Sequence, residues 1–423
     1  MKKLLSICLL FLFAGCSSNN HEAKKVSTAA PHIEKVNFFL EVSGSMAGYL
    51  NGATDFVKTI PNLLVAIEHK VDSGRLKVHE YYIADSITPF TGSTEDFITD
   101  MSTRQPAKEK SSEMQQIFKM IADKTDSNDI SMFVSDCILS YADNEVRANK
   151  EINREKAEGG LKPLITSTFD KLQQKNNMCA SVFGFMSDFN GVYYTYQNEK
   201  IVIKKGQVIR PYYLWVIGNR ELLKQFDAQL YKLESFKPDL AMNFGLFDKS
   251  VTDYSIFFRF KKSGEWETDG KALTDANISK KQPATVAVGL DLSALPPYAQ
   301  DTDYLRQHLQ LKTDDADFKI ANIVLASNVN KGELKKNELD DLTNSTHIFV
   351  ININDLYKPK AEISFRLPLQ YDTSYRKLSI MDDRNIANIS GKTFGFEYLV
   401  DGVRAAYQNP SQDFISVTIP IKK

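Results

Sequence analysis

The segment Phe38-Phe39-Leu40-Glu41-Val42-Ser43-Gly44-Ser45 sets an apolar run against one acid and two hydroxyls at alternate positions, with a glycine between the hydroxyls. Such a run reads as a buried strand, and the glycine as the tight turn it empties into. One carboxylate and two Ser oxygens are thereby aimed at one point. Hard oxygen donors suit a hard divalent cation, Mg²⁺ first and Ca²⁺ or Mn²⁺ after it. Two further segments carry donors of the same kind. Ser111-Ser112 precedes a helical stripe of Met114, Ile117, Phe118 and Ile121, and Ile130 to Asp136 is a second apolar run ending in an acid. Each residue also has a plainer use. Ser112 with Gln115 has the Ser-x-x-Gln form of a capping box. Ser43-Gly44-Ser45 fits a turn whose hydroxyls bond locally. Asp136 fits a helix N-cap or a loop acid. Glu41 is harder to dismiss, because an unpartnered acid ending a buried strand is costly.

Asp188 closes another apolar run and reads as an outer acid of the same site or as a solvated loop acid. Tyr193, Tyr194 and Tyr196 suit a partner-binding surface, and equally the packing of an inserted hairpin. Catalytic patterns do not stand out. Neither Ser43 nor Ser45 has the flanking glycines of a Gly-x-Ser-x-Gly elbow. His69, His79, His308 and His347 form no His-Glu-x-x-His pair, and no Walker A or dinucleotide glycine fingerprint occurs. The chain is expected not to be an enzyme. A hydrolase using Glu41, Asp136 and a metal-bound water is the remote alternative.

The elements that must position these residues alternate from His32 to about Phe236, as in a parallel α/β sheet. Val36 to Val42, Lys77 to Ala84, Ile130 to Asp136, Ala180 to Met186 and Tyr212 to Ile217 read as strands. Ile87 to Thr91 reads as a short edge strand. Phe56, Ile60, Leu63, Leu64 and Ile67 recur at helical spacing, with Pro61 as a break or kink. Leu222 to Leu233 reads as the closing helix. Ser140 to Gly160 is a charged, helical loop, and Gly191 to Arg210 an extra hairpin. Both follow strand ends and should rise where open α/β sheets bind ligands. Cys137 and Cys179 are expected at opposite ends of adjacent strands, too far apart for a disulfide. From Ala241 the pattern becomes short alternating strands, expected as one or two β-sandwich modules.

The spacing Glu41-x-Ser43-x-Ser45, with Ser112 and Asp136 in later loops, resembles the Asp-x-Ser-x-Ser signature of von Willebrand factor type A domains, over about half the chain. Glu41 stands where that family has Asp. The resemblance implies a Rossmann-like domain over 34–238, with a mostly parallel sheet flanked by helices, followed by the β-rich region 239–423. It implies a metal-ion-dependent adhesion site, with Ser43 and Ser45 on the metal and Ser112 in place of a Thr. Asp136 and Glu41 would complete it, and a partner's carboxylate would fill the open position.

The N-terminus reads as targeting sequence. Lys2 and Lys3 precede the apolar stretch Leu4 to Phe13, and Phe13-Ala14-Gly15-Cys16 is similar to a bacterial lipobox. Residues 1–16 are expected to be a lipoprotein signal ending at Cys16, the lipidated residue, and 17–33 a flexible tether. With 52 Lys+Arg against 53 Asp+Glu, charge gives no case for nucleic acid. The expectation is a cell-envelope lipoprotein, on the outer membrane. It would bind a protein or glycan partner, through a weakly held metal or as a metal-free interaction module, or scaffold an envelope complex.

Overall fold

Every residue from Val36 to Glu41 is buried, because the strand they form, β1 (Lys35–Glu41), runs through the interior of a seven-stranded sheet. The computed structural model describes residues 32–103, 107, 113–312 and 314–423. Cys16, the expected signal, the tether up to residue 31, and Ser112 lie outside the described residues. β1 pairs in parallel with β2 (Val78–Ile83), on which the short β3 (Ile87–Pro89) folds back. On its other side it pairs in parallel with β4 (Asp129–Ser135).

Beyond β4 the expectation of a mostly parallel sheet is corrected. β5 (Met178–Asp188) is followed by a small hairpin of β6 (Gly191–Tyr194) and β7 (Lys200–Ile203), then by β8 (Ile209–Asn219) and β9 (Leu240–Phe244). The order across the sheet is β3-β2-β1-β4-β8-β5-β9. β8 lies between β4 and β5 and is antiparallel to both. Its connection is the reason. A parallel neighbour needs a crossover of about a dozen residues or more, usually a helix. The hairpin β6/β7 instead returns the chain at the end where it left. The first residues of β8 therefore lie at the carboxyl end of β4 and β5. The same insertion separates the two cysteines. Cys137 and Cys179 are both free and buried, and Trp215 of β8 donates Nε1–H to Cys137 Sγ at 3.2 Å.

Helices cover both faces. Asp55–Lys70 turns Phe56, Ile60, Leu63, Leu64 and Ile67 into the core and continues through Pro61. Thr54 caps it, accepting from Val57 N–H at 3.4 Å. Arg220–Leu230 shares that core, while Met114–Lys124 and Lys162–Asn176 build the core on the opposite face. Each large apolar side chain so buried contributes about 1.5–3 kcal/mol.

The boundary expected at 238 is not where the α/β layer ends. β9 extends the sheet, and the helix Phe396–Tyr407 packs on Lys162–Asn176. Gly402 permits that approach, since a Cβ there would meet Lys162 O at 2.8 Å. Between these returns come β10 (Ser255–Phe257), β11 (Glu267–Asp269), β12 (Ala272–Thr274), β13 (Ala284–Leu290), β14 (Gln310–Lys312), β15 (Ala316–Leu325), β16 (His347–Leu356) and β17 (Lys360–Pro368). The short pair β18 (Ser379–Ile380) and β19 (Thr393–Phe394) follows, and β20 (Asp413–Lys422) is last. They form one four-stranded sheet, β10-β13-β16-β15, and one five-stranded sheet, β11-β12-β20-β17-β14. Both sheets turn apolar residues into one shared core, so the β-rich region is a single sandwich. Phe349 and Phe365 stack across it at 5.4 Å. No helix among the described residues is long and apolar enough to cross a membrane.

Candidate functional site

β1 and β4 are parallel neighbours, so the turns that follow them meet at one end of the sheet. Ser43 leaves β1 in extended backbone and starts a short 3-10 turn, Gly44–Met46, without using its side chain as a cap. Its Oγ lies 3.0 Å from Ser45 Oγ, and Ser45 donates to Asp136 Oδ1 at 3.1 Å. The plain turn reading therefore accounts for the contact between the two serines but not for the reach of Ser45 across 91 residues of sequence.

Asp136 directly follows β4 and is completely buried. No helix starts there, so it is not an N-cap. It is a loop acid, held by Ile138 N–H at 3.3 Å while Ser135 Oγ takes Cys137 N–H at 2.7 Å. Cys137 adopts a positive φ of 57° to make this turn, a conformation costing about 1–2 kcal/mol for a residue with a Cβ. Asp136 Oδ2 has no hydrogen-bond partner among the described residues. Burial pushes its pKa up to about 6, against the opposing effects of Arg210 and Ser45.

Glu41 is also completely buried. Its carboxylate accepts a hydrogen bond from Ser135 Oγ on β4. The site thus brings together Ser43, Ser45 and Asp136, with Glu41 one strand-end away behind Ser135. The helix after Ser112 begins at Met114 with Glu113 as its N-cap, and Gln115 donates to Glu113 at 2.7 Å and to Tyr141 at 3.3 Å. The capping-box reading rests on Ser112, which lies outside the described residues.

Two expectations about the partner surface are corrected. Tyr193 and Tyr196 are buried, and only Tyr194 is partly exposed. In β6 alternate residues face opposite ways, so Tyr193 turns in where Tyr194 turns out. Gly191 packs on Gly48, where a Cβ would come within 2.9 Å of Cα, so the hairpin closes over the Ser43–Ser45 turn. Asp188 pairs with Lys205 of that hairpin at 3.7 Å, so it serves the hairpin.

The same closure exposes two residues that sequence reasoning missed. Arg210, at the start of β8, is fully buried. Its Nη1 donates to Ile389 O at 3.0 Å and Lys392 O at 2.6 Å, on a strap between β18 and β19. Its guanidinium lies 4.5 Å from the centre of the Tyr193 ring. Burial works against that charge, but Tyr193, Tyr49, Asp136 and Asp383 around it raise its pKa overall. Asp383, on the same strap and fully buried, takes Tyr193 O–H at 2.5 Å and Tyr196 N–H at 2.9 Å. Burial raises its pKa, with Tyr193, Tyr196 and Arg210 opposing. Arg210 had one visible signal, a charge inside the apolar run Val208 to Ile217. Asp383 had none, sitting in a polar turn.

Ser43 Oγ, Ser45 Oγ and the carboxylate of Asp136 are all hard oxygen donors, and the orphaned Oδ2 leaves Asp136 with capacity to spare. Among the described residues no group of three or more His, Cys, Asp or Glu side chains could hold a metal ion. A cation would therefore rest on two hydroxyls and one carboxylate, a set that fits weak binding of Mg²⁺, Ca²⁺ or Mn²⁺. No family model, no curated protein and no solved structure matches this chain.

Proposed function

We propose that this chain is a lipid-anchored envelope protein, not an enzyme, that docks a protein or glycan partner at the carboxyl end of its α/β sheet. The observation that carries this reading is the cluster Ser43–Ser45–Asp136 at the ends of two parallel strands, with Asp136 Oδ2 unpartnered among the described residues and Ser45 still partly exposed. It is supported by the resemblance of Glu41-x-Ser43-x-Ser45 to the von Willebrand type A site and by the lipobox-like sequence at Cys16. Ser43, Ser45 and Asp136 would hold a divalent cation, Mg²⁺ by preference. Bound there, the ion would offer an open coordination position to an acidic group of the partner.

Titration calorimetry of the mature chain in detergent micelles tests this. Weak, millimolar-range Mg²⁺ binding is expected, abolished by Asp136→Ala. Glu41→Asp, which restores the spacing of the family that the segment resembles, should tighten it severalfold. Binding unchanged by Asp136→Ala would place the ion elsewhere. A second reading, a metal-free interaction module, is favoured by one observation: a permanent cation, Arg210, is fully buried at the same end of the sheet, and its charge opposes the rise in the Asp136 pKa.

A further inference from the structure

The inserted hairpin leaves one strand edge unused. β7 pairs only with β6, as a two-stranded sheet. Opposite residues of an antiparallel pair alternate between hydrogen-bonded and open pairs. Thr195 N–H donates to Glu199 O at 2.9 Å, so by the register Tyr193–Ile201 is a bonded pair, and Tyr194–Lys200 and Val192–Val202 are open. The backbone N–H and C=O of Lys200 and Val202 therefore point away from β6, and no other strand among the described residues meets them. The β6 side is closed off where Gly191 packs on Gly48. On the outward face of β7, Val202 is 70 % exposed, more than any other large hydrophobic side chain among the described residues. Lys200, Lys204 and Lys205 are exposed along the same strand and the turn after it, against one acid in the hairpin, Glu199. Lys205 is taken by Asp188. Among the described residues Lys200 and Lys204 pair with no acid, and Lys200 lies over the Tyr194 ring at 5.8 Å. Lysines on a short edge strand are a common guard against unwanted pairing. Here the guard also selects. Antiparallel pairing with a second copy, centred on Val202, would set Lys200 against Lys204, and like charges directly opposite destabilise a sheet. A strand with acids at those positions turns the repulsion into attraction. A glycan has no row of N–H and C=O groups at strand spacing to match the open edge.

We propose that the free edge of β7 is a docking edge, and that the partner is a protein that adds an extended, acidic strand to it. The partner's main chain bonds Lys200 and Val202, its acids meet Lys200 and Lys204, and its apolar side chains cover Val202. This rests on the reading of the carboxyl end of the α/β sheet as the docking end, because the hairpin closes over the Ser43–Ser45 turn there. It narrows the partner from a protein or glycan to a protein with an acidic, extended segment. A cation held by Ser43, Ser45 and Asp136 adds to this contact, and the edge makes the contact without it.

The probe is a fluorescein-labelled octapeptide alternating Glu and Val, read by fluorescence anisotropy against the mature full-length chain in detergent micelles, in EDTA and in millimolar Mg²⁺. In EDTA it should bind at least about tenfold more tightly than an octapeptide alternating Lys and Val. Val202→Pro removes an edge N–H that bonds nothing in β6, so the hairpin stays paired, and binding should weaken at least about tenfold. Lys200→Glu combined with Lys204→Glu should reverse the preference in favour of the Lys peptide. A wild type that binds the two peptides alike overturns the proposal. So does a charge-reversed chain that keeps the wild-type preference, or a Val202→Pro chain, folded by circular dichroism, that binds the Glu peptide as the wild type does. A Glu peptide that binds only with Mg²⁺ and is lost in Asp136→Ala overturns the edge while leaving the metal-assisted docking cluster in place. Binding in EDTA that survives Asp136→Ala and is lost in Val202→Pro upholds the edge, even where calorimetry finds no Mg²⁺ site.

Discussion

The carboxyl end of the α/β sheet and the interior of the sandwich both bury polar groups, and they treat them differently. In the sandwich region Glu338 is buried, and its carboxylate accepts from the backbone N–H of Arg259, Phe260 and Lys335 at 2.7, 3.3 and 2.9 Å. His347 is buried between Thr346 Oγ1 at 2.9 Å and Gln300 O at 2.8 Å. Those groups find partners in the fold, and the shared core of the two sheets is apolar. At the sheet end, Asp136 Oδ2 and Arg210 Nε and Nη2 are buried with no hydrogen-bond partner among the described residues. An unmet buried polar atom costs about 1–3 kcal/mol. The difference teaches where the molecule accepts a stability cost. Among the described residues the two sandwich sheets leave one such atom, Asp413 Oδ1 on β20, facing Arg366 at 3.7 Å, while the carboxyl end of the α/β sheet gathers three.

Three changes would sharpen or break that contrast. The largest effect belongs to the sandwich. Phe365→Ala removes the partner of Phe349 from a closed apolar core and should cost about 3–5 kcal/mol in denaturant unfolding. The accompanying expectation is that Mg²⁺ binding, measured under native conditions, does not move. A cost under about 1 kcal/mol would mean that this core collapses around the cavity, and the contrast between the regions would weaken.

Asp383→Ala comes next. It strips Tyr193 O–H and Tyr196 N–H of their acceptor and leaves Arg210 with one carboxylate fewer. About 2–4 kcal/mol should be lost. Hydrogen exchange should speed up at the backbone of Tyr196 and along the strap between β18 and β19. Unchanged exchange there would show that the strap is held by packing alone.

The smallest effect is set by pH. Burial raises the Asp136 carboxyl from 3.8 to about 6 in the folded chain, so the native state holds this proton more tightly than the unfolded one. Stability contributed by the protonated form is present below about pH 4 and is lost as pH rises to about 6, on the order of 1–3 kcal/mol. Asp136→Asn should therefore be more stable than the wild type near pH 8 and should lack that slope between about pH 4 and 6. Comparison of unfolding free energies across this range checks it. A variant destabilised at pH 8 would mean that the charged form is well compensated, by Arg210 first of all.

Much of the strand inventory was legible from the sequence. The runs at Val36, Lys77, Ile130, Ala180, His347 and Glu362 became β1, β2, β4, β5, β16 and β17, because an apolar run bounded by turn residues has few other ways to be buried. Ser43, Ser45 and Asp136 were legible for the same reason, each lying just beyond a strand whose end was marked. The direction of β8 was not. Nothing in Tyr212 to Ile217 distinguishes a strand entering from one end of a sheet from one entering at the other. That choice was made by the hairpin β6/β7, which returns the chain without crossing the sheet.

What the sequence determined by itself is local and periodic: which segments are strands or helices, where they stop, and which hydroxyls and acids stand at their ends. Backbone geometry and the burial of apolar side chains act over a few residues, so their record is continuous in the chain. What only the tertiary structure decided is the company those ends keep. Ser45 meets Asp136 across 91 residues, Tyr193 meets Asp383 across 190, and Arg210 reaches Lys392 across 182. Hydrogen bonds and charges act through space, and their partners were brought together by sheet order and by a strap returning from beyond the sandwich. That return also turned Tyr193 and Tyr196 from an expected surface into an interior.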